Sequence, residues 1–199
     1  MTSAPQGPLL LACALGAEQW ALRPAGRLPG VRLLRTGMGA RRAGRSVSTA
    51  LPPGAYAPRA FLYAGFGAAV GPGMRSGDVV VATEVRDTLG EPAELPGCRE
   101  LADALLRSGL GVHSGPLYTA DRIVRGDRRT ALHTDGVLCV DMETAAALRA
   151  LPPGVPVAAV RVIVDTPERE LLRPGTLVHG LRAWRVLRAA APVLAAWRP

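Results

Sequence analysis

The stretch Val140-Asp141-Met142-Glu143-Thr144-Ala145-Ala146-Ala147-Leu148 sets two carboxylates and a thioether between a run of β-formers and a run of helix-formers. Upstream, Gly136-Val137-Leu138-Cys139-Val140 reads as a short buried strand, and a helix is predicted from Thr144 to Ala150. Glu143 then stands at a strand-to-helix turn, and in open α/β sheets ligands bind beyond the carboxyl ends of the strands. The competing reading makes Asp141 and Glu143 helix-N-terminal acids answering the macrodipole.

Outward from this stretch, apolar β-runs recur between helical patterns: Leu9 to Leu15, Val31 to Arg35, Ala60 to Ala64, Asp78 to Ala82, Val137 to Val140 and Val157 to Val164. Such alternation predicts an α/β sheet covered on both faces by helices. A chain of 199 residues, 48% of them hydrophobic, holds one full core and is too short for two comfortable ones. Residues 1–199 are therefore read as a single domain.

The formal charge of +8 would ordinarily raise nucleic acid as a partner. Yet all the basic residues are arginine, with no lysine and no asparagine, which points to a coding bias rather than to a ligand. The arginines are scattered, with short clusters at Arg41-Arg42-Arg45, Arg122-Arg125-Arg128-Arg129 and Arg182-Arg185-Arg188. At 4% aromatics there is little on which to stack bases, so no nucleic-acid partner is expected. Without lysine there is neither a P-loop lysine nor a Schiff-base lysine. Cys13, Cys98 and Cys139 suit neither a disulfide framework nor a metal site, and His113, His133 and His179 form no close ligand pair. Cys13 and Cys139 fall in predicted core strands, where cysteine acts as a small hydrophobe. No metal and no cofactor are expected.

Leu10-Leu11-Ala12-Cys13 resembles a lipoprotein cleavage box and Ala14-Leu15-Gly16-Ala17 a signal-peptidase site, but no basic side chain precedes the apolar run. The run is also too short to span a bilayer. A first core strand, in a cytoplasmic protein without a transmembrane segment, is the expectation.

Four more predicted strands end in small or acidic residues: Gly16-Ala17-Glu18, Thr36-Gly37-Met38-Gly39, Ala64-Gly65-Phe66-Gly67 and Val164-Asp165-Thr166-Pro167. Each has a plain explanation alone, as a turn, a first-turn acid or an N-cap. Together they converge on one rim of the sheet, where glycine lets backbone approach a ligand.

Taken in order, ALGAEQ (14–19), TGMGARRA (36–43), YAGFGAAVGPGMRSGDVVVATEV (63–85), VDMETAAAL (140–148) and VRVIVDTPE (160–168) resemble the purine nucleoside phosphorylase and nucleosidase superfamily. SGDVVVATE and VDMETAA are the specific pieces. LACALGAEQWALR, HSGPLYTADRIV and VDTPERELLRPG bring the chain nearest to the hopanoid-biosynthesis branch, which removes adenine from adenosylhopane. The resemblance implies a single three-layer domain with a central mixed sheet flanked by helices.

Cleaving an N-glycosidic bond builds positive charge on the ribosyl ring and negative charge on the departing purine, so an acid belongs beside the base and anions beside the sugar. The resemblance assigns those parts. Asp165 matches the aspartate that protonates or hydrogen-bonds purine N7, a role requiring a pKa raised by burial. Glu143 matches the glutamate that grips the ribose hydroxyls, Met142 packs under the sugar, and Glu18 activates the attacking water. Asp141 is then structural. Gly37, Gly39, Gly65 and Phe66 fall in the substrate-binding turns. Tyr118 and Thr119 fall in the purine-binding segment, where Tyr118 could stack on adenine or be a half-buried strand tyrosine.

Phosphorolysis needs a phosphate site of arginine, serine and backbone amides. The third glycine-rich turn, where related phosphorylases carry them, has neither here, and Phe66 stands where serine would be. Arg41 or Arg42 could still touch an anion. Hydrolysis is the favoured reading, with phosphorolysis its alternative. Val164 precedes Asp165 where nucleosidases commonly have serine, which removes a hydroxyl that could orient the carboxylate.

The substrate expected is thus a small nucleoside: lipid-linked adenosylhopane first, with methylthioadenosine, S-adenosylhomocysteine or futalosine as alternatives. A non-catalytic nucleoside-binding protein is the third reading. The family's habit of assembly implies a homodimer. Finally, Thr176 to Arg198 reads as a helix with Leu181, Trp184, Leu187 and Ala191 on one stripe and Pro192 breaking or kinking it. Its arginines are either solvated or, with the tryptophans, a peripheral membrane contact.

Overall fold

The computed structural model describes residues 7–52, 54, 57–167 and 176–199, and for 176–179 the backbone alone. Strand β1 (Leu9–Cys13) is buried on both faces, as a strand covered by two helix layers must be. Leu9, Leu11 and Cys13 pack with Ala21 and Leu22 of α1 (Gly16–Leu22) and with Ala183, Leu187 and Leu194 of α6 (Thr176–Ala196). Leu10 and Ala12 instead join Ala43 and Val47 of α2 (Ala40–Ala50) and Ala147 of α5 (Thr144–Arg149). The two-residue period of a strand thus sorts alternate side chains into opposite layers. Each fully buried leucine contributes about 1.5–3 kcal/mol, so the register of this strand is strongly fixed.

The sheet is mixed. Strands β2 (Val31–Arg35), β1 and β3 (Ala60–Ala69) are parallel neighbours. β8 (Val157–Asp165) runs parallel to β3 and antiparallel to β4 (Val79–Arg86). β4 runs parallel to β6 (Val112–Thr119), which runs parallel to β7 (Cys139–Asp141), and β7 returns antiparallel to β3. Strands β3, β7, β6, β4 and β8 therefore close a ring, with β1 and β2 extending from β3 and the two-residue β5 (Ala93–Glu94) edging β4. Met74, Val80, Leu117, Cys139, Ala159 and Ile163 form a further apolar cluster drawn largely from the ring strands. This is the expected α/β architecture: a central mixed sheet flanked by helices.

Three expectations shift. β1 stops at Cys13 because the Ala14 and Leu15 N–H groups turn to a side chain, described below. β3 does not turn at Gly65 but continues to Ala69 alongside β8, absorbing its irregularity as a register shift between Gly67 and Ala68. Residues Val112–Thr119 form a full strand although they carry His, Ser, Gly and Pro; pairing on both sides, with β4 and β7, outweighs weak propensity.

Helices α3 (Cys98–Arg107) and α4 (Gly126–Thr134) complete the set. α3 buries Leu101, Ala102 and Leu105 at helical spacing. In α6 the buried stripe is Ala183, Leu187, Ala190, Ala191 and Leu194, while Leu181 is exposed. Pro192 lies inside α6 without ending it. Proline removes only its own N–H, its ring is exposed, and the buried Leu194, Ala195 and Trp197 hold the following turn. No helix among the described residues is long and apolar enough to cross a membrane. Residues 168–175 of the VDTPERELLRPG segment, and the side chain of His179, lie outside the described residues.

Candidate active site

A cavity of about 500 Å³ opens where the ends of β1, β7 and β8 meet the later part of β3. Glu18, Glu143 and Asp165 all contribute to its wall, as do Phe66 and Met142. The chain brings these acids together from positions far apart in sequence, and each is held differently.

Glu18 is buried in the first turn of α1. Its Oε2 accepts the N–H groups of Ala14 (2.8 Å) and Leu15 (2.7 Å), and its Oε1 accepts that of Phe66 (2.6 Å). Burial raises its carboxyl above the ordinary glutamate range, opposed by these three N–H groups and by the Arg161 charge. Gly65 makes the arrangement possible, since a Cβ there would lie 2.5 Å from Glu18 Oε1. The glycine at 65 thus makes room for a carboxylate rather than for a ligand.

Glu143 stands at the residue from which α5 starts, with its side chain turned away from the helix's own N–H groups. Its Oε1 accepts the Gly39 N–H at 2.6 Å and its Oε2 the Met142 N–H at 3.2 Å. Gly39 takes φ 91°, a conformation natural to glycine, where the chain enters α2. Burial, then the Asp141 charge, raises the Glu143 carboxyl. A carboxyl raised in this way can exchange protons nearer neutrality than an exposed one.

Asp141, two residues earlier, is neutralised. Its Oδ1 accepts the Thr119 hydroxyl at 2.7 Å, and its Oδ2 accepts the Thr144 N–H (3.1 Å), the Thr144 hydroxyl and the Arg161 guanidinium. Arg161 is buried in the middle of β8, with its guanidinium carbon 4.6 Å from the centre of the Tyr63 ring. Although burial works against its charge, the facing Asp141 raises its pKa overall. Tyr63 in turn shares a 2.6 Å hydrogen bond with Thr36, whose hydroxyl also donates to the Cys13 carbonyl. The structural reading of Asp141 therefore holds, with Arg161 as the partner that sequence reasoning passed over. The signal was present: a single arginine inside VAAVRVIVD, an otherwise apolar strand, has to be paired.

The remaining positions divide. Met38 belongs to the wall, but its neighbours Gly37 and Gly39, like Gly65, Tyr118 and Thr119, do not. Thr119 is engaged between Asp141 and the Ala145 N–H. Tyr118 is half-buried against the Val70, Val124 and Leu132 cluster. Leu15, Met38 and Ile123 carry the cavity outward as exposed apolar side chains, with Arg122 and Arg125 beside Ile123. Asp165 lies 3.4 Å from Arg129, another buried arginine.

Residues 25–177 match the model of the phosphorylase superfamily. The 5'-methylthioadenosine/S-adenosylhomocysteine nucleosidase of an Exiguobacterium species is 30% identical over 164 residues, covering 70% of this chain and 69% of that protein. The Neisseria meningitidis enzyme of the same name, solved with methylthio-immucillin-A, superposes at a TM-score of 0.73 with 19% identity, over 94% of this chain and 97% of that one. The Helicobacter pylori futalosine hydrolase superposes at 0.76 with 13% identity, over 94% and 97%. At those identities the two structures speak for the fold, while the family match and the sequence relative speak for descent: the chain belongs to the phosphorylase superfamily.

Proposed function

We propose that the protein hydrolyses the N-glycosidic bond of a 5'-modified adenosine and releases adenine, with adenosylhopane as its substrate. The observation that carries the reaction class is the Glu18 carboxylate, held by three backbone N–H groups and raised by burial, on the same wall as Glu143 and Asp165. In this reading water attacks C1' of the ribose and gives its proton to Glu18. The C1'–N9 bond breaks, its electron pair leaves with the purine, and Asp165 supplies a proton to N7. Glu143 stabilises the cationic ribosyl group, above Met142. Phosphorolysis would need a dianion site, and Phe66 supports hydrolysis because it offers only its backbone N–H, already given to Glu18.

The apolar rim of Leu15, Met38 and Ile123 supports a large apolar 5' substituent. The Exiguobacterium relative favours the smaller alternatives, methylthioadenosine or S-adenosylhomocysteine. A lipid-linked substrate also calls for peripheral contact with a membrane, for which the exposed Arg182, Arg185 and Arg188 of α6 are the candidates. Trp184 is taken up elsewhere: its ring packs at a 40° tilt against Trp20, with centroids 4.8 Å apart, and its indole N–H donates to the Ala17 carbonyl. Assembly as a homodimer is part of the same proposal. Measuring the free purine base released from adenosylhopane, methylthioadenosine, S-adenosylhomocysteine and futalosine, adenine from the first three and hypoxanthine from the last, tests it. The highest kcat/KM should fall on adenosylhopane; turnover of none of the four would contradict an enzymatic role.

A further inference from the structure

Val164 precedes Asp165 where nucleosidases commonly have serine, and α4 brings a cation to the carboxylate. Arg129 is 4% exposed, on a helix whose neighbouring Arg128 pairs with Asp121 at the surface. Its Nε and Nη2 both donate to the Ala69 carbonyl, at 2.8 and 2.5 Å, at the end of β3. Nη2 also reaches Asp165 Oδ2 at 3.4 Å, at the end of β8. The two strand ends are neighbours: Ala68 pairs with Asp165 just beyond the register shift at Gly67/Ala68. One guanidinium thus ties the irregular end of β3 to the carboxylate on β8. Nη1 is buried and makes no hydrogen bond among the described residues.

We propose that Arg129 is the positioning residue for Asp165, a role that rests on Asp165 being the acid beside the base. Bonds to the Ala69 carbonyl alone would serve packing, but a neutral donor would do that without the penalty of burying a charge. The full charge is explained by the carboxylate it faces, which it holds in one orientation. Arginine suits the task because its fork meets two acceptors at once, whereas lysine is a point charge.

The test is steady-state adenine release from the full-length protein, with methylthioadenosine as the soluble probe, for wild type, R129M, R129K, D165N and the double variant R129M/D165N. R129M should lower kcat by roughly a hundredfold, the scale of a misplaced catalytic group, with KM nearly unchanged. R129K should fall between R129M and wild type. Because Arg129 acts through Asp165, the double variant should be no slower than D165N alone. R129K at wild-type kcat, R129M folded by circular dichroism with wild-type kcat, or losses in the double variant that multiply, would each overturn the role. Should R129M fail to fold, R129K and the double variant, in which neither charge is left unpaired, still decide it. A wild type that releases adenine from none of methylthioadenosine, S-adenosylhomocysteine and adenosylhopane, or D165N retaining more than about a tenth of activity, would sink the underlying reading instead.

Discussion

Asp141 and Glu143 are two residues apart, both buried, and held by opposite means. Asp141 faces a guanidinium, two threonine hydroxyls and a backbone N–H, so its charge is fully answered. Among the described residues Glu143 accepts hydrogen bonds only from the Gly39 and Met142 N–H groups, and burial raises its carboxyl against the pull of the Arg161 charge. A fully answered buried charge ties strands together, whereas a partly answered one retains a reason to bind cationic charge or a proton. In the proposed function VDMET contains one structural and one chemical acid, separated by which neighbour the fold brings to each.

The largest expected effect breaks the chemical side. Asp165→Asn keeps shape and removes the acid, and adenine release should fall at least about a hundredfold while circular dichroism stays unchanged. Next, Arg161→Met breaks the structural side. It strands Asp141 as an unpaired buried charge, so chemical denaturation should show a loss of about 3–5 kcal/mol. Adding Asp141→Asn should recover part of it. A stable single variant would mean that the pair contributes little to the fold.

Glu143→Gln sharpens the contrast, because catalysis and stability should move in opposite directions. Loss of the anion opposite the ribosyl cation should lower kcat roughly a hundredfold, with adenine affinity preserved, since free adenine lacks that cation. The sign for stability follows from the raised carboxyl. A raised acid favours the folded state fully below its unfolded pKa of about 4.3, and the contribution is lost as pH rises through the folded value. The variant should therefore gain in melting temperature relative to wild type as pH rises, and lose that advantage near pH 4. A collapse of adenine affinity would move Glu143 to the base site.

The smallest effect concerns α6. Replacing Arg182, Arg185 and Arg188 with glutamine should abolish low-salt co-sedimentation with anionic liposomes while hydrolysis of a soluble nucleoside continues unchanged. Removing the Arg188 contact over the Trp184 ring, 5.5 Å from its centroid, should cost only about 0.5–1 kcal/mol. Equal liposome binding by wild type and variant would exclude this surface.

Much of this was legible in the chain. Val31 to Arg35 reads as a strand and is one, and the start of α5 at Thr144 follows from the alanine run after VDMET. The end of β3 was misread because Gly65 and Gly67 look like a turn; what they provide is space, against Glu18 and against Arg161. β6 was hidden because its stability comes from two neighbouring strands rather than from its own residues. The acids on the cavity wall were readable from where predicted strands end. Their holders were less so: Arg161 stands out inside an apolar strand, whereas Arg129 sits in one of several short arginine clusters and acquires meaning only beside Asp165.

The central claim is that water, activated by Glu18, is the nucleophile. Turnover of methylthioadenosine in ¹⁸O-labelled water, with and without inorganic phosphate, tests it most directly. The account predicts adenine release at a rate indifferent to phosphate, with the label at C1' of the released sugar. Formation of a sugar 1-phosphate, with a rate that rises with phosphate and no label incorporated, would contradict it.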